Sequence, residues 1–91
     1  MTDLERELDR VLTRLAALPE RYSTRAADLT HAAAQRIRDI TLDDEAPREV
    51  PRIGDHAAGA QLQVICAEFT AHGGAQTEAA QVLSDLRRAL P

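Results

Sequence analysis

The chain has 91 residues and a formal net charge of −4, and its apolar residues are 17 alanines against only 21 Leu, Val, Ile, Phe and Tyr. This length accommodates one domain over residues 1–91, and the 44% apolar fraction excludes a disordered chain. No apolar run approaches the roughly 18 residues of a membrane span, and the charged N-terminal segment is unlike a secretory signal, so we expect a cytoplasmic protein.

The first predicted helix covers residues 3–18. Its large apolar residues recur at spacings of three and four, which is the period of one helical face. Thr2 and Glu5 form a capping box at its start, and Pro19 either stops it or starts the next helix. The apolar face contains Leu4, Leu8, Val11, Leu12, Leu15 and Leu18.

The second predicted helix covers residues 24–42, with Ser23 or Thr24 as its N-cap. A start at Pro19 is the alternative, because proline suits the first helical position. The three consecutive alanines 32–34 favour a helix but bury little area, so they would let a neighbouring helix approach closely.

Residues 43–54 predict a long loop, because they contain two prolines and a glycine. Such a loop is either a crossover between two helical hairpins or a segment that docks on a partner, and we favour the crossover. We expect Val50 and Ile53 to contact the end of the bundle.

The third and fourth predicted helices cover residues 55–72 and 76–89. Asp55 is placed as the N-cap of the third helix, and Gly73-Gly74 as its end. No strand pattern is present. The sequence therefore predicts an all-α fold, a small four-helix up-and-down bundle with one long loop between helices 2 and 3.

The first helix carries more large aliphatic side chains than one neighbour easily covers, which favours a homodimer or a helical protein partner. An arginine ridge on the same helix would orient that partner. The predicted interaction residues are Leu4, Leu8, Val11, Leu12, Leu15, Arg6, Arg10, Arg14, Val50 and Ile53.

A metal- or small-ligand-binding bundle is the second hypothesis. Glu68 and His72 stand four residues apart on the third helix and so share a face, where a carboxylate and an imidazole are a possible pair of metal ligands. His31 and His56 would contribute only if the fold brought them close. No Glu-x-x-His motif of di-iron bundles occurs, so we expect no bound metal or cofactor.

A nucleic-acid-associated regulator is the third hypothesis, based on the ridge of Arg6, Arg10 and Arg14. The net negative charge and the near absence of aromatic residues argue against it. All 11 basic residues are arginines, as is typical of proteins from high-GC genomes, so an ordinary salt-bridged face explains the ridge better.

Catalysis is not indicated by any motif. The two serines lack a His and Asp context, and no Gly-rich phosphate loop follows a strand. Cys66 lies in the most apolar run of the chain and is expected to be a buried, inert thiol. We therefore expect a protein that is not an enzyme and that acts through protein–protein contact or self-association.

Overall fold

The computed structural model describes residues 2–41 and 49–91. Over these ranges the chain forms four α-helices and no strand, and the predicted all-α, four-helix up-and-down bundle is confirmed. None of the helices in this part of the chain has the length and apolarity needed to cross a bilayer. The helices are α1 (Asp3–Ala17), α2 (Ser23–Thr41), α3 (Ala58–Ala71) and α4 (Gln76–Ala89).

The start of α1 and the passage into α2 follow from local chemistry. Thr2 caps α1 by accepting a hydrogen bond from the Glu5 amide. Leu18 is extended because the residue before a proline disfavours the helical conformation, and Pro19 then precedes a short 3₁₀ turn. The predicted caps Ser23 and Thr24 are wrong, because both lie within α2.

The start of α3 differs from the prediction. Asp55 is not its N-cap, because residues 55–57 form a 3₁₀ turn and Ala57 occupies the cap position without a side-chain bond. The Asp55 carboxylate is engaged elsewhere: it accepts hydrogen bonds from Thr24 Oγ1 at 3.1 Å and from Arg52 Nη2 at 3.4 Å. Asp55 therefore ties the start of α3 to α2.

The loop predicted over residues 43–54 falls partly outside the described residues. Leu42 and residues 43–48 lie outside them, and so does any crossover formed there. Residues 49–54 are described and have no helical structure, as predicted.

The core is built from two helix pairs. The largest interfaces are α1 with α4 and α2 with α3; α2 also packs on α4, whereas α1 and α3 touch over a smaller area. Buried alanines on α2 allow its close approach to its neighbours, which compensates for the small number of large apolar residues. The largest fully buried side chains are Phe69, Ile37, Leu62, Leu83, Val11 and Thr30.

Gly73 and Gly74 end α3 in a Schellman motif. Gly73 has φ +70°, and its N–H donates to the Thr70 carbonyl at 3.0 Å, while the Gly74 N–H donates to the Phe69 carbonyl at 3.3 Å. The predicted glycine stop is confirmed. A Cβ added at Gly74 would lie 2.5 Å from the ring of the fully buried Phe69, so this glycine is also a packing requirement.

Gly74→Ala is therefore expected to lower the free energy of unfolding by about 1–3 kcal/mol, because the added methyl group overpacks the core at Phe69. The matched control is Gly59→Ala within α3, whose Cβ would lie an ordinary 3.4 Å from Leu12 Cδ2. This control should raise stability by about 0.5–1 kcal/mol through helix propensity. Urea unfolding measures both, and changes of the same sign would contradict the packing role of Gly74.

Thr30 is fully buried in α2, and its hydroxyl has no hydrogen-bond partner among the described residues. A buried, unpaired hydroxyl costs about 1–3 kcal/mol. Thr30→Val keeps the shape and removes that cost, so we expect it to raise the free energy of unfolding by about 1 kcal/mol. Thr13→Val, at an exposed position of α1, should change stability by less than about 0.5 kcal/mol. Destabilisation by Thr30→Val would refute this account.

Candidate interaction surface

One residue of the loop before α3, Val50, has both its main-chain N–H and its carbonyl bound by side chains of α2. His31 Nε2 donates to the Val50 carbonyl at 2.7 Å, and the Val50 N–H donates to Gln35 Oε1 at 2.6 Å. His31 and Gln35 stand one helical turn apart, so they reach the same extended residue. The Val50 side chain is buried in the core. We call this arrangement the Val50 clamp.

We call residues 49–54 the strap. The residues of the strap other than Val50 are also held by side chains. The Gln61 side-chain amide on α3 donates to the Pro51 carbonyl. Arg52 forms ion pairs with Asp28 on α2 and with Asp55, and the hydrogen bond that Arg52 donates to the Asp28 carboxylate is the main cause that raises the pKa of Arg52. These contacts fix the strap against α2 and α3, yet they leave the side chain of Ile53 68% exposed.

The outward face of α3 carries one charged residue, and that residue is paired within the chain. Glu68 is the only charged residue in Ala58–Ala71, and its carboxylate accepts a hydrogen bond from Arg38 Nη1 of α2 at 2.9 Å. Val64 is 58% exposed on this face, and Val64 and Ile53 are the two large hydrophobic residues exposed in the described part of the chain. The other exposed residues of α3 are small or uncharged, namely Ala60, Gln63, Ala67, Thr70 and Ala71.

A groove of about 370 Å³ runs between the strap and α3 and joins these two exposed side chains. Its floor and walls are mostly apolar, and the paired side chains of Arg38 and Glu68 also line it. The apolar lining includes Pro51, Ile53, Ala57, Ala60, Val64 and Ile65. We call the groove together with the outward face of α3 the α3 surface. Exposed apolar patches bordered by polar residues mark interaction sites in proteins.

The leucine stripe of α1 is largely used within the chain. Leu4 and Val11 are buried in the core, while Leu8 and Leu15 pack partly buried against it. Leu12 is half-buried. The stripe borders the narrow contact between α1 and α3, where grooves of about 420 Å³ and 350 Å³ remain. The surplus of apolar side chains on α1 therefore opens onto the edge of the α3 surface.

The arginine ridge of α1 is paired within the chain. Arg6 and Arg10 bind Asp3 and Glu7 at 3.5 and 3.0 Å, and Arg14 donates to the carbonyl of Pro91 at 2.7 Å. Both Arg6 and Arg10 line a groove between α1 and α4, and Glu7 also binds Arg87 of α4 at 3.2 Å. The ridge thus lies on the α4 side of α1, away from the α3 surface.

The four candidate metal ligands have other partners or stay apart. The Glu68 carboxylate binds Arg38, and His72 Nδ1 donates to the Glu68 main-chain carbonyl at 2.8 Å. His31 belongs to the Val50 clamp, and His56 is exposed beside Gly54. Among the described residues, no group of three or more His, Cys, Asp or Glu side chains is arranged to hold a metal ion.

No family model, curated protein or solved structure matches this chain. The α3 surface is therefore identified by its own geometry. The interaction residues predicted from the sequence lie on α1 and at Val50 and Ile53; Ile53 lines this surface, whereas Val64 and the outward face of α3 were not among them. Two signals for it are present in the sequence: a helix with a single charged residue, and a second series of apolar positions at spacings of three and four on α3.

Cys66 is buried, and desolvation of its thiolate raises its pKa to about 11. Since the thiolate is the reactive form, less of it exists below pH 11 than for an ordinary cysteine. We expect maleimide labelling of the native protein at pH 8 to be much slower than labelling in urea, and to accelerate as the pH rises towards 11. Equal rates in the folded and unfolded protein would contradict the burial of this thiol.

Proposed function

We propose that this protein acts through contact with another protein chain rather than by catalysis, and that the α3 surface is its contact surface. One observation carries the proposal: the two exposed large hydrophobic residues, Ile53 and Val64, line the same groove, and the two charged side chains in its lining, Arg38 and Glu68, are paired with each other. Burying apolar area stabilises association by about 25 cal/mol per Å². Burying charged residues would oppose it.

The shape of the α3 surface supports a helical partner. With 14 residues and a rise of 1.5 Å per residue, α3 presents a ridge about 21 Å long. Small side chains along this ridge let a second helix approach closely, and the apolar groove beside it receives larger side chains from the partner. This is the helix-in-groove mode of recognition.

The strap supplies one wall of this surface, so the Val50 clamp acts in the proposed function. Because Val50 is anchored in the core and Pro51 is bound by Gln61, Ile53 is presented in a defined position. A preorganised surface loses less conformational entropy on binding than a mobile one. Leu8 and Leu12 of α1 extend the surface on the opposite side of α3.

The proposal predicts that Ile53→Glu combined with Val64→Glu abolishes capture of partner chains from the native host, because the variant buries two carboxylates at the contact. Both positions are exposed, so helicity by circular dichroism should be retained and stability should change by about 0.5 kcal/mol per site or less. Capture is measured by affinity purification after in-cell cross-linking, with identification by mass spectrometry.

The matched control is Ala32→Glu, which places a carboxylate on an exposed position of α2. It should capture the same chains as the unmodified protein. If the double variant captures them equally well, the α3 surface is not the contact surface and the proposal fails.

A further inference from the structure

We infer that the partner is a second copy of this chain, with the two α3 helices packed antiparallel about a two-fold axis at Val64. This inference rests on the proposed function, because it names the chain that covers the α3 surface. It is carried by the register of the surface, by the distribution of charge on the molecule and by the area available.

Two apolar seams run along α3 at spacings of three and four. The inner seam faces the core and is formed by Ala58, Leu62, Ile65 and Phe69. The outer seam faces away from it and consists of Ala57, Ala60, Val64, Ala67 and Ala71. A seam with this period is what one helix presents to another in a coiled coil. The inner seam is packed by the chain itself, and the outer seam has the same period without a covering helix among the described residues.

The outer seam is nearly symmetric about Val64. Its alanines lie seven and four residues before Val64, and three and seven residues after it. A two-fold axis at Val64 therefore places Ala57 of each chain opposite Ala71 of the other, and Val64 opposite itself. Ala60 of each chain then lies opposite Glu68 of the other, whose carboxylate is bound by Arg38 of its own chain. An isologous interface requires such a self-complementary pattern, whereas an unrelated partner does not.

The distribution of charged side chains also favours this face for contact with a second copy. Two chains of net charge −4 repel one another, and exposed acidic and basic side chains cover the outer faces of α1, α2 and α4. On α3 only Glu68 is charged, and Arg38 already binds it. Pairing through the outer seam thus brings two copies together without leaving an unpaired charge buried.

An interface of standard size is larger than the outer seam of α3 alone, so it would include the strap and the groove. A standard interface covers about 800 Å² on each partner, which is about one seventh of the 5602 Å² surface of this chain. The molecule measures 39 × 28 × 17 Å, so one broad face contains that area. The two-fold axis keeps the strap side of one chain facing the strap side of the other, which sets Ile53 at the rim and Val64 at the centre.

The experiment is light scattering on a sizing column at about 100 μM, with circular dichroism to check folding. The unmodified chain of 10.0 kDa should elute as a dimer of about twice that mass. Val64→Arg should elute as a folded monomer, because it sets two like charges against each other at the axis. Ala32→Arg, at an exposed position of α2, should remain dimeric.

A second variant tests the alignment of the two α3 helices at Val64 by cross-linking the dimer, so this test does not depend on dissociating it. Val64→Cys should be cross-linked to a dimer by a short bis-maleimide, because the two introduced thiols meet at the axis. Ala32→Cys is the matched control and should remain monomeric on a denaturing gel. Cys66 is present in both variants and is buried, so it contributes equally to the background.

A monomeric unmodified chain overturns the inference, and so does a dimer that neither Val64→Arg dissociates nor Val64→Cys cross-links. In either case the proposed function is judged separately by the capture experiment with the double glutamate variant. The unmodified chain could be monomeric while the double glutamate variant loses capture. In that case the α3 surface is still a contact site, but its partner is another helical protein rather than a second copy.

Discussion

The main-chain hydrogen bonds of one buried residue, Val50, fix the position of the strap and therefore of the groove along α3. A buried main-chain N–H or carbonyl without a partner is costly, and among the described residues no strand lies beside the extended strap to supply one. Side chains of α2 replace that strand: His31 binds the Val50 carbonyl and Gln35 binds its N–H. The clamp seats the Val50 side chain in the core and thereby fixes Ile53 on the outside. The apolar groove along α3 exists because the strap is held in this way.

The rest of the architecture follows from a shortage of bulky apolar residues. Most of the large apolar side chains pack between the helices of the pairs α1–α4 and α2–α3. The alanines on α2 let the helices lie close enough to fill the core. Little remains to close the contact between α1 and α3, so grooves persist there. The Phe69 ring fills the end of the core so tightly that Gly74 beside it has no room for a side chain.

Much of the fold could be predicted from local patterns. Apolar periodicity located all four helices, and Gly73-Gly74 marked the end of α3, because both signals act over one or two turns. The cap assignments were less successful. Asp55 has the chemistry of an N-cap, but its carboxylate is bound by Thr24, 31 residues earlier in the chain, which no local pattern contains.

By itself, the sequence determined the number, type and approximate bounds of the helices, since these depend on interactions between residues three or four positions apart. Only the tertiary structure decided which apolar faces are covered. The leucine stripe of α1 and the outer seam of α3 both have helical periodicity, and periodicity does not reveal which face meets a neighbour. Packing places Leu4 and Val11 in the core and leaves Val64 exposed, because α1 lies against α4 whereas the outer side of α3 has no helix over it among the described residues.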